Sequence, residues 1–159
     1  MDDKKFQKVM IRLEEKREEI EFQEMMKKLE LTTFRYYNNN PYHKRTEDCV
    51  IRAIAAGTDN SWEETVRNLT EYMIETGDMI NTPELYGKYL KKIGWIKQKQ
   101  PVYPNKKKMK VKDFVKQFNG RAIIHVGKSH VSYVAEGKLW DIWNCEDEII
   151  GVYWTPEEV

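Results

Sequence analysis

Apolar residues recur at roughly helical spacing between residues 4 and 30, at Phe6, Val9, Met10, Leu13, Ile20, Met25, Met26 and Leu29. The stripe is broken, and weakest across Lys16–Glu19. It predicts one long charged helix, either laid on a domain surface or serving as an arm for partner binding or self-association. A polar stretch with a proline follows, "NNNPYHKRTED", Asn38 to Asp48, and reads as a loop. An apolar helix then opens at Cys49 and is expected to end near Gly57. "SWEETVRNLTEYMIETG" carries Ser61 as N-cap with Glu64 three residues on, and Gly77 closes it. "TPELYGKYLKKIG" has Thr82 as N-cap, Pro83 at the first helical position and Gly94 at the end. "WIKQKQPVYPNKKKMK" looks extended and irregular, and its Lys106–Lys108 run reads as a solvated loop; "VKDFVKQFNG" is a short helix.

From Arg121 the period changes. "RAIIHVG", "HVSYVAEG", "KLWDIWN" and "IIGVYW" are short, β-branched and aromatic, separated by turns. Helices first and strands last predict an α+β domain, its helices packed on one face of a C-terminal antiparallel sheet. The expected division is a charged N-terminal helix over 1–35 and a domain over 36–159.

Composition narrows the function classes. The 159 residues are 40% apolar and 33% charged, with 27 basic against 26 acidic side chains and a net charge of +1. That balance gives no pull toward nucleic acid or an acidic membrane face. No apolar run approaches the roughly 20 residues of a membrane span. The start, "MDDKKFQK", lacks the apolar core of a signal peptide. A cytoplasmic location with reduced thiols is therefore expected. The two cysteines form no CxxC pair, so no metal site is expected. With no glycine-rich phosphate loop either, no cofactor is expected.

What remains is a thiol at the first turn of a helix. A thiol nucleophile needs a base, and the base needs an orienting acceptor. The histidines are His43, His125 and His130. If Glu136–Gly137 is the two-residue turn of a hairpin, Ala135 pairs with Lys138 and every cross-strand pair adds to 273. His130 then lies opposite Trp143 and shares a face with Asp141, a diagonal neighbour within reach of a carboxylate–imidazole hydrogen bond. Asn144 falls on the other face; a three-residue loop would shift the register and favour it instead. Trp140 and Trp143 lie on opposite faces unless the strand is bulged, and Trp143 is placed to shield the dyad. His125, on an adjacent strand, is the rival base. Cys145 reads as structural. A helix start and an imidazolium both lower a thiol pKa. The N–H of Cys49 is one candidate oxyanion donor, with His43, Asn40 or Thr46 as the second.

A cysteine at a helix start, followed by histidine and aspartate on late strands, resembles the papain-like cysteine peptidases, in particular compact bacterial ones such as the peptidase domains of bacteriocin-exporting transporters. The matching stretches are "DCVIRAI", "HVSYV" and "LWDIW", with "VKDFVKQFNGRAIIHVG" similar to the family's helix-then-strand lead-in. The resemblance spans roughly 38–154 and implies a papain-like fold and a Cys49–His130–Asp141 triad. The family's usual glutamine ahead of the cysteine has no counterpart at the corresponding place. The activity implied is hydrolysis of a peptide, isopeptide or amide bond in a peptide or protein substrate through an acyl-enzyme. The competing expectation is a non-catalytic papain-like module that binds a peptide or protein partner in the same cleft, with the N-terminal helix as docking or oligomerisation arm.

Overall fold

The computed structural model describes residues 3–157, Leu29 and Glu30 by backbone alone. The chain forms two compact units, Met1–Thr32 and Thr33–Val159. The first is helix α1, Asp3–Leu31, whose described side chains are all exposed. Leu29, the last position of the expected stripe, lies outside those described side chains. The Arg17–Glu21 ion pair on this helix is fully solvated, and such pairs contribute little.

The second unit begins with strand β1, Phe34–Tyr36, so a boundary at 35 would cut a strand. Helices α2 (Cys49–Thr58), α3 (Trp62–Thr76) and α4 (Pro83–Lys92) follow, then strand β2 (Trp95–Gln98) and helix α5 (Val111–Gln117). Strands β3 (Arg121–Val126), β4 (His130–Ala135), β5 (Lys138–Asp141) and β6 (Ile150–Pro156) complete the unit. The expected caps form: Ser61 accepts from the N–H of Glu64, Thr82 from that of Leu85, and Gly77 closes α3 in the left-handed region. The protein is thus α+β, mostly helical at first and sheet at the end. Among the described residues no helix is long and apolar enough to cross a membrane.

Three expectations need correction. The six-stranded sheet, ordered β1–β5–β4–β3–β6–β2, is mixed rather than antiparallel, because β1 runs parallel to β5. Three residues are too few to show a strand period, and a parallel partner is reached only after a long crossover. Nor do the helices cover a single face. Residues of α2, α3 and α4, among them Val50, Ile54, Leu69, Leu85 and Leu90, pack on Ile123, Val131 and Trp154. Helix α5 brings Val111, Phe114 and Val115 to the other face, against Ala122, Ile124, Val134 and Leu139. The run "RAIIHV" is apolar at both parities because β3 is a central strand buried on both sides. Each aliphatic side chain buried there contributes about 1.5–3 kcal/mol relative to exposure.

The third correction concerns Gly57. Helix α2 runs past it to Thr58, and Asp59 takes the left-handed C-cap. Glycine stands at 57 because a Cβ there would come within 3.0 Å of both Ile123 and Trp95. That close approach seats α2 on the sheet, and with it the start of the helix beside β4.

Candidate active site

The hairpin of β4 and β5 has the predicted register: Tyr133 pairs with Trp140, Val134 with Leu139 and Ala135 with Lys138. Glu136 and Gly137, at φ 55° and 66°, make the tight turn that sets it. Asp141 ends β5 and is buried, with a place for each of its lone pairs. Its Oδ2 accepts from the His130 ring nitrogen Nε2 and from the Ser132 hydroxyl, both at 2.6 Å. Its Oδ1 accepts from the backbone N–H of Ile142 at 2.7 Å and of Trp143 at 3.3 Å, with the Arg52 guanidinium 3.7 Å away. β1 secures the same strand from its other side, where the Tyr37 N–H donates to the Asp141 carbonyl.

With Nε2 held by Asp141, Nδ1 is the ring nitrogen left for a thiol. Cys49, the first residue of α2, lines one cleft with His130. Burial disfavours its thiolate. That is outweighed by the His130 hydrogen bond, the backbone N–H of Val131, the imidazole charge and the N–H of Val50, so the thiol sits below its ordinary value. Burial likewise disfavours the imidazolium, but hydrogen bonds with Asp141, Cys145 and Cys49 and the charge of Asp141 push His130 up to about 11. For Asp141 burial is again the opposing influence; His130, Ser132 and Ile142 hold its carboxyl below the usual range. The three groups together favour thiolate, imidazolium and carboxylate. Trp143 lies edge-on against the imidazole, ring centres 4.9 Å apart and planes at 72°, where it covers the dyad.

A cleft of about 540 Å³ opens on this group, lined by Thr46, Glu47, Cys49, Arg52, Asn81, Ser129, His130, Ile142 and Trp143. Of the residues singled out from the sequence, Cys49, His130 and Asp141 come together, and Thr46 and Trp143 line the cleft. Asn40 does not: it is buried and its amide donates to Asp48 at 3.0 Å. His43 is exposed in the preceding loop at φ 51° and is not among the residues lining the cleft. His125 is half-buried against Gly151 on β6, where a Cβ would fall 2.8 Å from its Nδ1, and burial depresses its pKa.

Cys145 overturns the expectation of a thiol without chemical context. It is buried beside His130, and burial pushes its own pKa up. Donor atoms of His130, Asp141 and Cys145 lie within 4.8 Å of one another. The 2.6 Å His130–Asp141 contact fits one shared proton; two ligands at about 2 Å from one tetrahedral zinc stand more than 3 Å apart.

Three participants went unremarked in the sequence, and the place of a fourth, Cys145, went unforeseen. Ser132 is two residues from His130 on one strand and opposite Asp141 in the same register, so alternation alone points to it. Arg52 and Asp48 flank Cys49 at helical spacing, four residues apart. Cys145 gives no such signal, since it follows the end of β5 in an irregular segment. No family model, curated protein or solved structure matches the chain.

Proposed function

We propose that the protein is a thiol hydrolase of papain-like type, cleaving a peptide, isopeptide or amide bond in a peptide or protein substrate through an acyl-enzyme. One observation carries the reading: a single imidazole is hydrogen-bonded to Asp141 through Nε2 and lines the same cleft as the Cys49 thiol at the start of a helix. Cys49 attacks the carbonyl carbon as thiolate. The oxyanion meets the N–H of Cys49 at the positive helix end, with Thr46 the neighbouring polar side chain on the cleft wall. His130 gives its Nδ1 proton to the leaving amine and then takes one from the water that releases the acyl group. Asp141 keeps the ring oriented and stabilises its charge. The papain-like assignment is further supported by chain order, with the cysteine on an early helix and the base and acid on adjacent late strands.

The test uses a generic acyl donor and a generic alkylator. A nitrophenyl ester should give a burst of nitrophenol and an acyl adduct that mass spectrometry maps to Cys49. Iodoacetamide should label Cys49 rapidly at pH 6–7, where an ordinary thiol is mostly protonated. Labelling that appears only as the pH nears 9, with no acyl adduct, overturns the proposal.

A further inference from the structure

The residue ahead of Cys49 is an aspartate at the N-cap of α2, a position where the carboxylate normally accepts from the second or third N–H of its helix. Asp48 makes no such bond. Its side chain is buried and turned aside, Oδ2 accepting from Asn40 Nδ2 and from Trp62 Nε1, each at 3.0 Å. Its Oδ1 is bound by the guanidinium of Arg52, itself buried one turn along the helix. The second helical N–H, that of Val50, therefore carries no capping carboxylate and counts among the groups that favour the Cys49 thiolate. A capping carboxylate would compete for that same N–H. It would also set a negative charge beside the thiolate and cancel the helix end that favours it.

We propose that Arg52 is a positioning residue that acts on the nucleophile through Asp48: its guanidinium holds the carboxylate off the start of α2, leaving the helix end to the sulfur and the substrate oxyanion. The charged and titratable groups facing this cluster come from every element around it. They are Glu47, Asp48, Cys49 and Arg52 on or before α2, Tyr36 on β1, Tyr86 on α4, His130 on β4, Asp141 on β5 and Cys145 beyond it. Glu47 is exposed; with the thiolate formed, Asp48, Asp141 and Cys49 are the negative members away from solvent and Arg52 and His130 the positive ones. Removing Arg52 leaves two buried anions beside the thiolate against one cation. Lysine is no substitute, since it lacks the planar fork that binds a carboxylate while lying along a second one.

The inference rests on the thiol-hydrolase reading, and the two fail separately. The experiment follows the pH dependence of Cys49 alkylation in the full chain, mapped by mass spectrometry, in wild type, Arg52→Met and Asp48→Asn/Arg52→Met. Arg52→Met should move the Cys49 titration up by a unit or more, a tenfold loss of thiolate on the acid side. The double variant, with no carboxylate left to cap the helix, should return to within half a unit of wild type. If Arg52→Met does not fold, the double variant decides alone: a titration near wild type supports the proposal and an upward shift of a unit overturns it. An Arg52→Met protein that folds and titrates as wild type does overturns the inference and leaves the hydrolase reading intact. An ordinary thiol titration in the wild type overturns both.

Discussion

Cys49 and Cys145 both neighbour the His130 imidazole, yet their surroundings drive them in opposite directions. Burial raises both. At Cys49 it is overcome by the imidazole and two backbone N–H groups, and the sulfur opens on a cleft. At Cys145 the Asp141 charge adds to burial, and the side chain is 1% exposed. Contact with a histidine therefore does not make a nucleophile. What separates the two is what stands against the thiolate: burial alone at Cys49, and burial joined by the Asp141 carboxylate at Cys145.

The change that should erase this contrast most completely is His130→Ala. Without the imidazolium, burial at Cys49 loses its main opponent, and its titration should rise by two units or more, a hundredfold loss of thiolate near neutral pH. Alkylation rates against pH, mapped separately to the two cysteines, give the measurement. A stability profile should follow the same pair. His130 has a folded value near 11, above the ordinary 6.5, so its contribution is complete below 6.5 and is lost as pH rises toward 11. Cys49 is depressed from 9.0, so its contribution is complete above 9.0 and is lost as pH falls through its folded value. Together they predict a wild-type unfolding free energy that declines between about 9 and about 11, where only the His130 contribution is still changing, and that His130→Ala makes this decline vanish. An unmoved Cys49 titration in His130→Ala would break the comparison at its root.

The placement of Cys49 beside His130 and Asp141 was legible in the sequence, and the approach of Cys145 to the same imidazole was not. Cys49 announces itself by standing where a polar loop gives way to an apolar helix. His130 and Asp141 follow from one tight turn, because Glu136–Gly137 fixes the register of every residue along the hairpin. Alternation along the strands then decides which side chains share a face. Cys145 lies beyond the last residue of β5, where no period operates, so only tertiary structure brings it to His130. β1 was hidden for a related reason: its three residues pair with β5 across most of the chain. At Gly57 local chemistry gave the wrong reading, since a glycine near a helix end suggests a cap and the requirement is clearance for Ile123 and Trp95. Asn40 lies away from the cleft lining, its amide donating to Asp48, a pairing eight residues apart that no helical or strand spacing implies.

Replacing Cys145 by alanine tests the inert half and should do less. The cost is chiefly a small cavity in the cluster of Ile124, Val126, Leu139 and Ile150, about 1 kcal/mol for one buried atom removed. The Cys49 titration should shift by under half a unit, because His130 keeps Asp141. In the wild type, iodoacetamide should reach Cys145 slowly or only after unfolding. A Cys145→Ala protein in which Cys49 loses its low titration would mean that the second thiol helps hold the imidazole, and that the two sulfurs act as one unit.

The smallest effect is expected from the region farthest in character from either thiol. Helix α1 spans 29 residues with every described side chain exposed and a stripe interrupted by charge. The second unit holds both core clusters, drawn from residues after Thr33. Both thiols draw their neighbours from the same set. Deleting residues 1–32 should therefore leave a cooperative thermal transition within a few degrees of the full chain, since about 1 kcal/mol moves a domain of this size by roughly 2–8 °C. The separate alkylation profiles of Cys49 and Cys145 should be unchanged in the shortened protein. A molten or insoluble product would show that α1 contributes to the fold of the second unit. A folded product in which only Cys49 changes would be the more informative failure, because it would tie the charged helix to the reactive thiol and not to the buried one.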